Sequence, residues 1–371
     1  MKKARFVSAL GILVAAALST FPAETSDALK QAFAETKAKA ELGDASAQSN
    51  LGSLYNSGRG VDKDYAEALK WYRKAAEQGY AAAQFYLGGS YQFSEGGKSE
   101  HVEAAKWYRK AAEQGYAEAQ FNLGFMYLNG QGVEKDYAEG VKWYRKAAEQ
   151  GFAAAESEVG LSYYYGQGAK LDYVEAIKWF RKSAAQNDAS GEISLAMAYC
   201  EGRGVEKDYA EAAKWYRKAA DKGHAGAQFS LGLLYDRGQG VDKDYADAAK
   251  WFRKAADQGY ADAQFNLGVM YNDGQGVEKD YAEAVKWYRK AADQGYADAQ
   301  INLGNRYSKG QGVDKDYVEA YAWFNLAARS RARAAETRDV LEKKMSPQQV
   351  AEAQRRTKEL RAQIDAKTIS K

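Results

Sequence analysis

The chain has 371 residues, of which 46% are hydrophobic and only 2 are proline. This composition excludes general disorder and favours helices, because enough apolar surface is present to offset the entropy lost on ordering. The formal net charge of +3 divides into +3 over residues 1–19, −6 over residues 20–328 and +6 over residues 329–371. An acidic body argues against a nucleic-acid-binding domain, which needs a basic folded face.

The N-terminus has the layout of an export signal. Basic residues precede an apolar run over residues 6–18, which is too short to span a bilayer. Small residues favour cleavage after Ser19, with a cut after Ala23 as the weaker option. We therefore predict a signal peptide over residues 1–19, with an uncleaved anchor as the alternative. After cleavage we expect no stable membrane insertion and a periplasmic or secreted location.

All the tryptophans lie 36 residues apart, at Trp71, Trp107, Trp143, Trp179, Trp215, Trp251, Trp287 and Trp323. A fixed period of this length is typical of a repeat architecture. It predicts eight units, with boundaries at 44–79, 80–115, 116–151, 152–187, 188–223, 224–259, 260–295 and 296–331. Together these repeats cover residues 44–331.

Residues 260–295 show how one unit folds. Residues 264–271 place Gln, Leu, Gly and Tyr at i, i+3, i+4 and i+7, on one face of a first helix. We expect Gly274 to end this helix and Asp280 to cap a second one, with Glu283 completing a capping box. Each repeat is thus predicted to be a pair of helices joined by a glycine turn.

Small residues in the same unit predict close helix packing. Gly268 on the first helix and the pair Ala291–Ala292 on the second let helices approach, and Trp287 fills the space between neighbours. No single pair can bury its apolar face alone, so the units must stack.

The ends of such a stack need covers. We predict an N-terminal capping helix over residues 24–43 and C-terminal capping helices over residues 332–371. Residues 346–349 read Ser-Pro-Gln-Gln, which predicts a capping box with proline at the first helical position. The helix that follows carries one apolar face, expected to dock on the last repeat through Val350, Ala353, Thr357, Leu360 and Ile364.

The units resemble Sel1-like repeats, relatives of tetratricopeptide repeats, through the pattern A-x-A-Q-x-x-L-G-x-x-Y-x-x-G-x-G-V-x-x-D-Y-x-x-A-x-x-W-Y-R-K-A-A-x-x-G. Residues 261–295 carry a nearly complete copy. The resemblance implies an all-α, right-handed superhelical solenoid of eight helix-turn-helix repeats between capping helices, with first helices lining the concave wall. It also implies an adaptor that holds other proteins together.

Residues suited to catalysis or metal binding are nearly absent. His101 and His224 occupy different repeat positions, so we interpret them as local substitutions. Some cysteine-rich Sel1-like proteins have been linked to β-lactam binding or hydrolysis, but this chain contains only Cys200. We predict no enzymatic activity, no catalytic residue, no cofactor and no metal.

The recurrent Trp-Tyr-Arg-Lys sequence is the one motif that suggests nucleic acid. In its first copy, Glu67 and Glu77 lie within one helical turn of Lys70 and Arg73. We expect these residues to form compensating pairs on a solvated face. No nucleic-acid partner is therefore predicted.

Departures from the repeat at exposed first-helix positions are candidates for recognition, because stacking does not dictate them. Extra aromatic or apolar bulk occurs at Phe93, Phe125, Met126, Leu128, Tyr164 and Tyr165. These residues are predicted to form a partner-binding aromatic patch, the alternative being that they pack into neighbouring loops.

The predicted function is a non-catalytic scaffold or adaptor in the bacterial envelope, which binds a protein partner along its first helices. A secreted effector that contacts host proteins is the alternative. A hydrolase acting on β-lactams or peptidoglycan is a weaker one.

Overall fold

The computed structural model describes residues 26–93 and 100–369, and every regular element within these residues is an α-helix. The predicted signal peptide lies outside the described residues. The described residues divide into two compact units, one up to residue 152 (unit 1) and one from residue 153 onward (unit 2). In both units consecutive helix pairs pack side by side, which gives the all-α solenoid arrangement that the repeat predicts.

Unit 1 contains a capping helix and three repeats, formed by α1 (Ser26–Glu41), α2 (Ala45–Ser57), α3 (Tyr65–Glu77), α4 (Ala81–Gln92), α5 (His101–Glu113), α6 (Ala117–Asn129) and α7 (Tyr137–Glu149). Unit 2 contains five repeats and two capping helices, formed by α8 (Ala153–Tyr165), α9 (Tyr173–Ala185), α10 (Ala189–Glu201), α11 (Tyr209–Asp221), α12 (Ala225–Arg237), α13 (Tyr245–Asp257), α14 (Ala261–Asp273), α15 (Tyr281–Ala292), α16 (Ala297–Lys309), α17 (Tyr317–Ala327), α18 (Ala332–Glu342) and α19 (Pro347–Ile369). The even-numbered helices α2–α16 are the first helices of the repeats, and α3–α17 are the second helices.

The ends of α14 and α15 follow the sequence signals, with one exception. Gly274 closes α14 with a φ of 73°, and Asp280 Oδ1 accepts the backbone N–H groups of Ala282 (2.8 Å) and Glu283 (3.0 Å). The prediction of a return bond, from the Asp280 N–H to the Glu283 carboxylate, is wrong. The carboxylate of Glu283 pairs with Lys286 at 2.5 Å, and the N–H of Asp280 is already bonded to the carbonyl of Tyr271 at 2.9 Å.

The turn between the two helices depends on a second glycine. Gly276 has a φ of 68°, and a Cβ at this position would overlap the backbone carbonyl of Tyr245 in the preceding second helix. Only glycine both adopts this backbone conformation and leaves room for that contact. The turn therefore lies directly against the preceding repeat.

The core is built from small residues that face large rings. A Cβ on Gly268 would come within 2.7 Å of Cδ1 of Tyr288, so the ring lies on the bare backbone of the first helix. Trp287, which is buried, joins Phe252 in the cluster of the preceding repeat. Burying roughly 200 Å² of aromatic surface contributes on the order of 5 kcal/mol. The stacking interfaces thus contain much of the stabilising surface.

Buried glutamines tie successive repeats together in both units. In unit 2, Gln264 donates to the carbonyl of Ala256 at 3.0 Å and accepts from Gln294 at 2.8 Å. In unit 1, Gln84 accepts from Gln114 at 2.8 Å. Because Gln84 and Gln264 are buried and paired, these hydrogen bonds fix the register of one repeat on the next.

The exposed face of the second helices neutralises much of its own positive charge. Lys70 pairs with Glu67 at 2.5 Å as expected, and the Lys74 ammonium lies 4.0 Å from the Trp71 ring centroid. The expected pairing of Arg73 with Glu77 is replaced by a hydrogen bond from Arg73 to a tyrosine hydroxyl on α4, at 2.7 Å.

The C-terminal cap follows the prediction closely. Ser346 and Gln349 form a complete capping box, with bonds of 2.9 and 3.2 Å. Ala353, Thr357 and Leu360 are buried, and Val350 and Ile364 are half-buried. No helix within the described ranges is both long and apolar enough to cross a membrane.

Ion pairs also attach this cap. Arg356 contacts both Glu319 on α17 and Glu359, beside a charged cavity between α17 and α19. Glu319, Arg356 and Glu359 line this cavity and attach α19 to α17.

Candidate functional site on the first helices

The six predicted recognition residues differ sharply in exposure. Phe93 and Tyr165 are 58% and 55% exposed, and Phe125 and Leu128 are half-buried. Met126 and Tyr164 are 0% and 1% exposed, so neither can contact a partner directly, and the prediction is corrected for these two.

Met126 is buried because it lies on the inner face of α6. The same repeat position holds Leu234 and Met270, which are also buried. Comparing the repeats at this position therefore identifies Met126 as a core residue.

Leu128 fills a space that a second substitution creates. A Cβ on Gly140 of α7 would overlap Cδ1 of Leu128. The equivalent residue in every other repeat is alanine, as at Ala284. Leu128 therefore packs on the bare backbone of α7 rather than standing free, in line with the packing alternative.

Tyr164 occupies the repeat position of Leu128 but is held by a polar contact. Its hydroxyl donates to Glu201 Oε2 at 2.8 Å, and its ring lies 5.1 Å from the ring of Tyr173. Burial, followed by the Glu201 carboxylate, raises the pKa of Tyr164 well above its usual range. The Arg203 guanidinium pairs with Glu201 at 3.2 Å and lies 5.5 Å from the Tyr173 ring.

Three exposed side chains border this cluster: Tyr165, Leu171 and Val174, which are 55%, 50% and 60% exposed. We call these three residues and Arg203 the Tyr165 surface. The position of Leu171 is lysine in six other repeats. In those repeats the lysine ammonium lies over the ring of the tyrosine two residues later, as Lys207 does over Tyr209. The loss of that lysine leaves apolar surface in its place.

A line of apolar residues crosses the first helices beside this surface. Leu161, Met197, Leu233 and Val269 share one repeat position and are all half-buried; we call them the apolar row. The Tyr165 hydroxyl lies 3.6 Å from Sδ of Met197, so the Tyr165 surface and the row are continuous. Phe125 holds the same position in unit 1, where the other two repeats carry Ser53 and Gly89.

Charge is segregated between the two helix sets of unit 2. Its five first helices hold eight acidic and three basic residues, whereas its five second helices hold seven acidic and twelve basic residues. The three first helices of unit 1 hold one charged residue, Glu118. Unit 2 therefore combines several acidic residues with the apolar row, whereas unit 1 has Glu118 and Phe125 on α6.

Two first-helix carboxylates of unit 2 are buried in place of the usual glutamine. Glu192 is 0% exposed and pairs with Lys222 at 2.6 Å, while Glu156 accepts from Gln186 at 2.9 Å. Burial raises the pKa of Glu156. These groups serve the contact between repeats rather than the exposed face.

Titratable groups elsewhere in unit 2 show the effect of partial burial. Burial and the nearby Asp188 carboxylate raise the pKa of Glu158 to about 7, and burial lowers the pKa of His224. Partial burial raises the pKa of the Cys200 thiol to about 11. Within residues 26–93 and 100–369 no three His, Cys, Asp or Glu side chains are grouped to hold a metal ion.

Comparison with known proteins identifies the repeat. The Sel1 repeat model matches eight consecutive segments: 45–80, 81–116, 117–152, 153–188, 189–224, 225–260, 261–296 and 297–330. No curated protein matches the chain.

Two solved structures are similar over most of their length. A Sel1 repeat protein from Oxalobacter formigenes is 32% identical, with a TM-score of 0.66, and the match covers 87% of this chain and 95% of that one. The c5321 protein, a protective antigen present in uropathogenic Escherichia coli strains, is also 32% identical, with a TM-score of 0.54 and coverage of 90% and 95%. Proteins built from such repeats are generally interaction scaffolds and typically non-catalytic. The chain belongs to the Sel1 repeat family.

Proposed function

We propose that this protein is a non-catalytic adaptor of the bacterial envelope that binds a protein partner through the first helices of unit 2. The Tyr165 surface carries the proposal. Other repeats place polar residues at the position of Tyr165, apart from Phe93, and mostly lysine at the position of Leu171. Stacking does not require exposed apolar groups at these positions, whereas tyrosine and apolar side chains are favoured anchors in protein interfaces.

The arrangement around Tyr165 supports a preformed site. Tyr164 is fixed by its bond to Glu201 and packs edge-on against Tyr165, with ring centroids 5.3 Å apart. The side chain at position 165 is therefore held against a rigid neighbour, which reduces the entropy lost when a partner binds.

An envelope location rests on the export signal predicted at the N-terminus. The similarity to a protective antigen of Escherichia coli agrees with exposure outside the cytoplasm, and it also favours the alternative, a secreted protein that meets host proteins. Cell fractionation separates the two, since an adaptor stays with the periplasm and an effector is found in the medium.

The hydrolase alternative has the least support, because the cysteine-rich pattern linked to β-lactams is missing: the chain has only Cys200. Hydrolysis of a β-lactam or of peptidoglycan fragments by the purified protein, absent in a mock preparation, would revive it.

Site-specific photo-crosslinking in the native bacterium tests the adaptor proposal. The probe replaces Tyr165, and the control probe replaces Lys178, which is exposed on the second helix of the same repeat. A discrete crosslinked protein at position 165 and not at position 178 is expected. Equal crosslinking at both positions, or none, would contradict binding through the first helices.

A further inference from the structure

The apolar row offers a partner one contact on each of four successive repeats. Leu161, Met197, Leu233 and Val269 come from α8, α10, α12 and α14, and each remains half-buried beside the core clusters. Their remaining apolar surface is exposed to solvent, so covering it with apolar groups is favourable. A partner that lies across these helices would meet an apolar side chain on each.

Carboxylates flank the row on the same helix faces. Asp236 follows Leu233 by three residues. Asp262 lies seven residues before Val269, and Asp273 lies four residues after it. Residues at these spacings lie on the same face of a helix. Asp262 accepts from the Tyr296 hydroxyl at 3.1 Å. Asp273 accepts from the Asn272 side chain at 2.6 Å, and Asp236 interacts electrostatically with Lys243. In the described part of the chain none of the three aspartates forms a salt bridge, so a further cation can pair with them.

These aspartates carry most of the attraction of the first helices for a cationic group. Of the other first-helix carboxylates of unit 2, Glu156 and Glu192 are buried, and Glu201 and Asp298 are paired with arginines. Charge complementarity of this kind sets the orientation and the rate of association.

The separation of the helices sets the spacing of the ligand. The first helices α8 and α10 contact each other directly, and packed helices lie about 8–10 Å apart. An extended chain advances about 3.3 Å per residue. Successive members of the row are thus met by about every third residue of an extended segment.

We infer that unit 2 binds an extended, basic segment of its partner, in which apolar side chains recur about every third residue and cover the apolar row while lysine or arginine side chains face Asp236, Asp262 and Asp273. This inference rests on the proposed function and specifies the partner that the same surface takes.

Fluorescence anisotropy with the purified protein tests the inference. The probe is a labelled peptide of about twelve residues, with leucine at every third position and lysine and serine between. A second peptide carries glutamate in place of lysine. The protein variant Asp236→Asn/Asp262→Asn/Asp273→Asn is compared with a charge-matched control, Asp221→Asn/Asp242→Asn/Asp257→Asn, whose exposed aspartates lie outside the first helices.

Binding of the lysine peptide is expected to weaken roughly 3- to 30-fold in the first variant and less than about 2-fold in the control. The affinity should also fall with added salt. Equal weakening in both variants, or equal binding of the glutamate peptide, would overturn the inference.

The two proposals fail in different ways. A partner crosslinked at Tyr165 together with no binding of the lysine peptide would overturn the basic-segment inference and leave the adaptor standing. Absence of any partner at Tyr165 would contradict the adaptor itself, whatever the peptide does.

Discussion

The first helices of units 1 and 2 have the same fold but carry different chemistry. Those of unit 1 hold one charged residue, Glu118, and only Phe125 at the position of the apolar row. Those of unit 2 hold eight acidic residues, and four of the five carry a member of the row. Stacking therefore constrains the buried positions equally in both units and leaves the exposed positions free to diverge. Function is expected where they have diverged.

The repeat position of Leu128 and Tyr164 shows that a packed position can also diverge between the units. Leu128 in unit 1 is accommodated by the missing side chain of Gly140, whereas Tyr164 in unit 2 is accommodated by a hydrogen bond to Glu201. In both cases the bulky residue has a structural partner, which is the missing side chain at Gly140 for Leu128 and the carboxylate of Glu201 for Tyr164. A departure that has such a structural partner is explained by packing; Tyr165, Leu171 and Val174 remain exposed and are not explained in this way.

The largest expected effect tests what the two units share. Gly124→Val in unit 1 and Gly268→Val in unit 2 each place side-chain atoms against a buried tyrosine ring, which lies 2.7 Å from a Cβ at either glycine. We expect each to destabilise its unit by about 3 kcal/mol, because overpacking strains a close-packed core. Urea unfolding monitored by circular dichroism measures this, and a clear loss in one unit alone would contradict a common core.

The buried ion pair of unit 2 is the next test. Lys222→Ala leaves Glu192 buried without a counter-charge, and a loss of about 2 kcal/mol is expected because Lys222 is partly exposed. The double variant Glu192→Gln/Lys222→Gln recreates the pair seen at Gln264–Gln294 and should recover most of the stability. If thermal unfolding shows no recovery, the two pairings are not equivalent.

A smaller effect is expected in unit 1. Gly140→Ala should cost about 1–2 kcal/mol, because the new methyl group displaces Leu128. Adding Leu128→Asn, the residue at the equivalent position 272, should remove most of that cost and leave the contact of the methyl group with the Gly124 carbonyl, at 2.9 Å. Urea midpoints of the two single variants and the double variant form the cycle, and additive effects would show that the two residues do not interact.

The smallest effect depends on pH. The pKa of Glu158 is raised to about 7, so the folded state favours the protonated carboxyl and its contribution to stability is lost as pH rises through about 7. Glu158→Gln should therefore stabilise the protein by about 1 kcal/mol at pH 8 and have little effect at pH 4. Thermal midpoints at the two pH values decide this, and an equal shift at both would contradict the raised pKa.

Local signals in the sequence were enough to predict much of the fold. The Asp280 cap, the glycine turn and the complete box at Ser346–Gln349 are confirmed, because each depends on residues a few positions apart. The second half of the box at Asp280 failed, since Lys286 competes for Glu283 and a repeat-closing bond already uses the Asp280 N–H.

The candidate site was only partly predictable from the sequence. Burial of Tyr164 depends on Glu201, which lies 37 residues away in another repeat, and no local pattern predicts that contact. Leu128 could have been assigned to the core from Gly140, the single glycine where the other repeats carry alanine. The apolar row was also detectable, since its members recur at the repeat period, but each looks unremarkable until the repeats are compared.

Reverting the Tyr165 surface tests most directly whether these departures bind the partner. In Tyr165→Asn/Leu171→Lys/Val174→Ala the three side chains become those of Asn129, Lys135 and Ala138, the equivalent residues of unit 1. All three positions are exposed, so the free energy of unfolding should change by less than about 0.5 kcal/mol and the thermal midpoint should stay nearly the same. The measurement is co-purification of the partner identified by crosslinking. Loss of at least about 10-fold in recovered partner, with an unchanged midpoint, is predicted; full recovery of the partner would contradict binding at the Tyr165 surface.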